Sequence, residues 1–436
     1  MERNSPKLNN KILIISPHFP PSNLAAVHRS RLFAQHLPSY DWRPTILTVL
    51  EDFYEEKLDY HLERLLPQSL RIEKVKAFKT TKPRLVGDIG LRGFFQLYTK
   101  AKQLIKEEHF DFLYIPIPSF YVALLGRLLH DSTGIKYGID YIDPWVHEFP
   151  GSDKIFSRHW LSTQIAKLLE PIAVKKASLI TGVAEGYYKG VQERNPRLVK
   201  DAIFAAMPYG GEKMDHDAVK SLDIKPYLFS KNSEKLQVVY AGAMLPKAFA
   251  PLEKVLSAIH TQQEKYQDLE LHFIGTGTSP NNPDGYNIKP IAEKYGLWQR
   301  NVFEHPARIP YLDVLVHLNA ATGVFILGST EPHYTPSKVY QAVLSQKPIW
   351  AILHRESSAC KVIRGSGAGV VLAFDGENDV ENIFKSFPKS FDEFLLYAEN
   401  YNCHTINQIE FEKYSASSVT ATLVDLVNKI ISGFTN

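Results

Sequence analysis

Gln237-Val-Val-Tyr-Ala241 is a short, largely β-branched run closed by Gly242 and followed by a helical stretch near 250–263. A run so short and apolar, without polar alternation, reads as a strand covered on both faces, the habit of parallel sheets. The same pattern opens the chain, where Lys11-Ile-Leu-Ile-Ile-Ser16 leads into a helical stretch near 24–37. From each start the alternation continues. In the first half the strand candidates are Ile12–Ser16, Pro44–Leu50, Phe112–Pro116, Lys136–Ile142 and Leu179–Val183, with helices near 24–37, 92–108, 119–130, 155–177 and 185–194. In the second they are Gln237–Ala241, Leu269–Gly275, Gly323–Leu327, Pro348–Leu353 and Gly369–Leu372, with helices near 250–263, 287–296, 310–319 and 336–346. Crossovers of this size join parallel strands and cover both sheet faces. The fold class is therefore α/β, with two Rossmann-like domains.

A chain of 436 residues exceeds what one core serves and suits two domains of roughly 200 residues each. Between about Pro208 and Ser233 periodicity lapses into Gly210-Gly211, scattered charge and Pro226, the composition of a connection. The expected organisation is a first domain over 1–208, a linker over 209–233, a second domain over 234–415 and an amphipathic helix over 416–436 that needs a surface to cover. A formal charge of +3 falls short of a nucleic-acid signature, so no nucleic-acid partner is expected. Cys360 and Cys403 lie far apart, outside any metal-ligand spacing, and read as reduced thiols of a cytoplasmic protein. The polar start leads into a run too short for a signal-peptide core, so no export is expected. Phe120–Leu129 is interrupted by Arg127 and falls well below the roughly 20 residues that span a bilayer, which leaves only peripheral membrane contact. The basic, aromatic stretch Lys154–Glu170 is the candidate for such contact, although its apolar positions also fit a core face.

In parallel sheets ligands bind beyond the carboxyl ends of the strands, which directs attention to the loops there. Ser16-Pro-His-Phe-Pro-Pro-Ser-Asn-Leu-Ala-Ala-Val-His-Arg-Ser30 is a Pro-fixed loop opening a helix of small residues. It has no G-x-G-x-x-G, which disfavours a dinucleotide, while Asn23, His28 and Arg29 are placed for an anion or a sugar. A plain helix cap at Ser22 or Asn23 is the ordinary alternative. Asp140-Tyr-Ile-Asp-Pro-Trp145 sets two carboxylates and an indole at the sheet edge, where carboxylates bond hydroxyl pairs and a Trp face packs on a pyranose. A strand-end cap is the ordinary reading of Asp140 and is preferred to catalysis. In the second half Tyr240-Ala-Gly-Ala-Met-Leu-Pro-Lys247 and His272-Phe-Ile-Gly-Thr-Gly277 follow strands, and Thr335-Pro-Ser-Lys338 primes a helix whose backbone donors suit a pyrophosphate. An ordinary capped helix before a strand is the alternative for that last segment.

Taken in order, these segments resemble family 4 glycosyltransferases of GT-B type, including the D-x-x-D-P-W and P-S-K-x-x-E-Y-L-x-x-x-K-P-I elements of a bacterial branch. The resemblance implies a GT-B fold with an inter-domain cleft. It also implies a retaining, metal-independent transfer of a hexosyl group from a nucleoside diphosphate sugar to a glycan or lipid-linked acceptor, with no cofactor beyond that donor. By the same resemblance Asp143 and Asp140 are the catalytic candidates, and Asn23, His28 and Trp145 meet the acceptor. Gly242, Lys247, Gly275, Gly277, Ile309, Glu331, His333, Ser337, Lys338 and Gln341 are the donor-side candidates. The chain departs from the family at two charged positions, carrying Ala243 for an Arg and Gln341 for a Glu; the family's earlier Glu falls at His333, with Glu331 nearby. These departures motivate a rival reading as a weak or inactive sugar-nucleotide-binding protein. A GT-B sugar-nucleotide epimerase is a further alternative, disfavoured by the acceptor-side Asp-Pro-Trp. Asp215-His-Asp217 has the D-x-D form of other sugar transferases but lies in the expected linker and reads as a solvated pair, so no metal is expected.

Overall fold

The computed structural model describes residues 10–433 apart from 82–85, 147–153, 223, 232 and 280. The chain divides into two compact units, one formed by Met1–Tyr209 with Ala416–Asn436 and the other by Gly210–Ser415.

The first unit is built on a seven-stranded sheet in the order β3-β2-β1-β4-β5-β6-β7. Its strands are β1 (Asn10–Ile15), β2 (Trp42–Val49), β3 (Arg71–Val75), β4 (Phe112–Ile117), β5 (Tyr137–Tyr141), β6 (Leu179–Gly182) and β7 (Ile203–Ala206). Every pairing is parallel. The second unit carries a six-stranded sheet in the order β10-β9-β8-β11-β12-β13. Those strands are β8 (Leu236–Ala241), β9 (Leu269–Ile274), β10 (Val302–His305), β11 (Gly323–Leu327), β12 (Ile349–His354) and β13 (Gly369–Phe374), again all parallel. Three strands lie outside the sequence reading, and all three are edges: β3, β7 and β10. An edge strand has one neighbour and less cover, so Arg-Ile-Glu-Lys-Val and Val-Phe-Glu-His tolerate charge and lack the long apolar run that marks a strand such as β4.

The helix Ala416–Ile431 belongs to the first unit, where Val419, Leu423 and Val427 pack with Ile12, Ile14, Phe33 and Trp42. Its last turn is held by Lys136, whose Nζ donates to the Ile430 carbonyl at 2.6 Å, a cation at the negative end of the helix. In the second unit Trp350 stacks on Phe325 at 4.7 Å and meets Phe387 and Phe391 edge-on. Those two phenylalanines come from the helix Val380–Glu399, whose internal Pro388 breaks the sequence signal for it. Another helix, Lys213–Ser221, occupies the stretch read as a connection. Its Asp215 is fully buried and accepts from the Tyr311 hydroxyl at 2.8 Å, so only Asp217, paired with Lys220 at 2.7 Å, has the solvated character expected of both. No helix among the described residues is long and apolar enough to cross a membrane.

Candidate functional site

At the carboxyl edge of the second sheet, Gly242 ends β8 with φ of 118°, a conformation open to glycine and strained for L side chains. Its N–H donates to the Ile274 carbonyl at 2.8 Å, which fixes the loop to β9. A Cβ added there would stand 3.3 Å from the Nζ of Lys338. Lys338 opens the helix Lys338–Leu344, and its amine lies 3.6 Å from the centroid of the Tyr240 ring. That amine is buried and has no hydrogen-bond partner among the described residues. Burial lowers its pKa from 10.5 to about 7. The helix has only seven residues, so the amine rather than the helix end is the main source of positive charge here. The ends of neighbouring strands also bring Lys247 and Glu331 together, Nζ to Oε1 at 3.6 Å, while the Thr330 N–H donates to the Lys247 carbonyl at 3.2 Å. Two contacts thus form in the loops after β8 and β11, Gly242 with Lys338 and Lys247 with Glu331. A buried, unpaired amine beside space kept open by a glycine is a place for an anion.

The remaining donor-side candidates are more dispersed. Gly275 has φ of 71° and its N–H donates to the His305 carbonyl at 2.8 Å. Gly277 donates to the Pro306 carbonyl at 3.0 Å, and an added Cβ would stand 2.7 Å from that same oxygen, so the turn lies tight against the loop that carries the half-buried Ile309. His333 and Ser337 are half-buried in the loop before Lys338. Gln341 is engaged elsewhere: its Oε1 accepts from Nε2 of His216 at 2.9 Å. Burial lowers the His216 pKa against that hydrogen bond and the pull of Asp215. The expected ribose-binding oxygen therefore ties two helices of the unit together.

In the first unit two candidates are closely enclosed by their neighbours. Asp140 is fully buried, bonded by Arg29 through Nε at 2.8 Å and Nη2 at 3.2 Å, and by the Thr181 hydroxyl at 2.8 Å. Arg29 also donates to the Met207 carbonyl at 3.0 Å and to the Pro208 carbonyl. With its oxygens so engaged, Asp140 ties the helix Ala25–His36 to the end of the first unit's sheet. Trp145 is 6% exposed, stacked on Phe120 at 6.0 Å and edge-on to Tyr121. Asp143 keeps an open surface, yet desolvation holds its carboxyl up to about 6. Asn23 is half-buried just before the helix Ala25–His36, and His28 lies in that helix's first turn. The cap position is Leu24, and the Ser22 hydroxyl bonds Glu56 instead of capping.

Sequence reasoning missed a cavity of about 250 Å³ in this unit, lined by His18, Glu56, Asp88, Arg92 and Ser119 among others. His18 Nε2 stands 3.6 Å from Glu56, and its ring packs on Tyr54 at 4.9 Å. Asp88 accepts from the Ser119 hydroxyl at 2.8 Å and the Leu91 N–H at 2.7 Å. Burial raises the Asp88 pKa and lowers that of His18. Only His18 lay in a quoted motif; Glu56 and Asp88 come from segments without one, and the fold brings them to the loop after β1.

No protein-family model matches the chain, and no curated protein does. Solved structures do. A sucrose-phosphate synthase from Thermosynechococcus elongatus superposes with a TM-score of 0.63 at 13% identity, over 97% of this chain and 100% of that one. A glycosyltransferase from Rickettsia africae gives 0.60 at 14% identity, over 98% and 99%. Anabaena HepE, solved in complex with UDP and glucose, gives 0.62 at 14% identity, over 96% and 100%. At these identities the likeness shows the fold, which is the GT-B fold of two Rossmann-like α/β units.

Proposed function

We propose that the chain is a glycosyltransferase that takes a hexosyl group from a nucleoside diphosphate sugar, whose diphosphate is held by Lys338 and Lys247. The observation that carries this reading is the Lys338 amine, buried against Tyr240 with no partner beside the open space over Gly242. A lone buried amine is costly and is retained where an anion arrives to pair with it. The structural likeness to HepE, solved with UDP-glucose, makes a UDP-sugar the first donor to try. In this reading transfer is retaining and metal-independent. The two lysines neutralise the leaving diphosphate, which itself takes the proton of the incoming hydroxyl, so positioning and preorganised charge do most of the catalysis. Asp143 orients the acceptor, a glycan or a lipid-linked sugar, with the cavity of His18, Glu56 and Asp88 offering hydroxyl-binding carboxylates.

The test is nucleoside diphosphate release from UDP-, GDP- and ADP-hexoses, with the anomer of any product read by NMR. Release that Lys338→Met abolishes supports the reading; no release from any donor argues against it. A second reading, a sugar-nucleotide-binding protein with little turnover, is favoured by Ala243 and by the engagement of Gln341 with His216. It prevails if turnover appears only after Ala243→Arg and Gln341→Glu.

A further inference from the structure

The helix Arg158–Val174 has two apolar faces, and only one is used. Thr163, Ala166, Ala173 and Val174 face inward and are buried. On the other side Leu161, Ile165, Leu168 and Ile172 follow at i, i+4, i+7 and i+11, one continuous stripe of an α-helix. Leu161 is 53% exposed, Leu168 69% and Ile172 47%, with Ile165 half-buried among them. Just ahead of the helix Ile155 and Phe156 are 69% and 87% exposed. Phe156 has φ of 63°, a left-handed conformation that costs a bulky L residue about 1–2 kcal/mol, so the backbone holds this ring in solvent at an energetic disadvantage.

Charge completes the pattern. Lys154, Arg158, Lys167, Lys175 and Lys176 are all exposed on this helix or at its ends. The one acid between 154 and 177, Glu170, is fully buried and paired with Arg194 at 2.7 Å. A second copy of the same face would set cation against cation. An anionic lipid surface complements it, taking the apolar side chains into the acyl boundary while the long cationic ones reach its headgroups.

We propose that this outward face, from Ile155 to Lys176, docks on an anionic lipid bilayer. Docking does not depend on the transferase reading; only its consequence, delivery of a lipid-borne acceptor to the loop of Asp143 at the end of β5, rests on it.

The test is flotation of the full chain with vesicles of phosphatidylcholine alone and with phosphatidylglycerol added. Binding is expected only to the anionic vesicles, weakening as salt rises and about fivefold for each cation removed, as in Lys167→Gln or Lys175→Gln. Leu161→Glu with Leu168→Glu is expected to abolish it. Both positions are solvent-exposed, and unchanged circular dichroism and urea unfolding of that variant separate lost docking from lost folding. Failure to float with anionic vesicles overturns the proposal, as does equal binding to neutral ones. So does a concentration-dependent dimer in sedimentation velocity that the double variant disperses, since a second copy then covers the face.

Discussion

Replacing Lys338 with Met is predicted to stabilise the protein while removing its affinity for a nucleoside diphosphate. The unfolded chain holds a proton on this lysine up to its ordinary pKa of 10.5, whereas the folded chain releases it near 7 because burial disfavours the ammonium. Between those values the folded state binds fewer protons, so the group's penalty is full below pH 7 and fades as pH rises toward 10.5. Each pH unit between the two values is worth about 1.36 kcal/mol, so the penalty is about 4 kcal/mol at pH 7 and about 2 kcal/mol at pH 9. Met fills the same space without a charge, so urea unfolding is expected to show a stability gain of that order at pH 7, shrinking by about 2 kcal/mol at pH 9. UDP affinity is expected to fall at the same time by one to two orders of magnitude, the worth of a charge-assisted hydrogen bond of ~1.5–3 kcal/mol. A variant destabilised equally at both pH values, or one that keeps its UDP affinity, refutes the reasoning.

Three other perturbations follow from the geometry. Asp140→Ala leaves the Arg29 guanidinium buried without its anion and is expected to lower stability by roughly 3–5 kcal/mol in denaturant titration, without touching UDP affinity. Asp143 holds its proton up to about 6, so kcat/KM is expected to fall below that pH rather than near the usual carboxylate range; Asp143→Asn should lower activity and erase that acid limb. Gly242→Ala combines a φ of 118° with a Cβ 3.3 Å from the Lys338 amine, so calorimetry should show at least tenfold weaker UDP binding, alongside roughly 1–3 kcal/mol of lost stability.

The inner strands were legible because a strand covered on both faces carries an apolar run, Ile12–Ile15 in β1 and Val238–Ala241 in β8. The edges β3 and β10 escaped because charge interrupts their apolar pattern, and β7, Ile-Phe-Ala-Ala, because it has only four residues. Helix Val380–Glu399 was masked by Pro388, although Phe387, Phe391 and Phe394 mark its buried face around Trp350. Sequence position places the loops directly after strands at the carboxyl edge, because in a parallel sheet that edge follows from the order of the elements. What a side chain does there depends on partners far away in sequence. Asp140 gains its partner only once Arg29 arrives from 111 residues upstream, and Gln341 only once His216 does. Likewise the stripe Leu161–Ile172 has helical period whichever way it faces, and exposure alone distinguishes a core face from a docking one.

The central claim is that a donor diphosphate pairs with the Lys338 amine. Calorimetric titration with UDP at pH 8, repeated in two buffers of different ionisation heat, tests it most directly. The free amine, with its pKa near 7, is then mostly neutral, so binding is predicted to carry net uptake approaching one proton, about 0.9 at most, which Lys338→Met abolishes. Absence of binding by UDP, GDP and ADP alike, or UDP binding with no proton uptake, would contradict it.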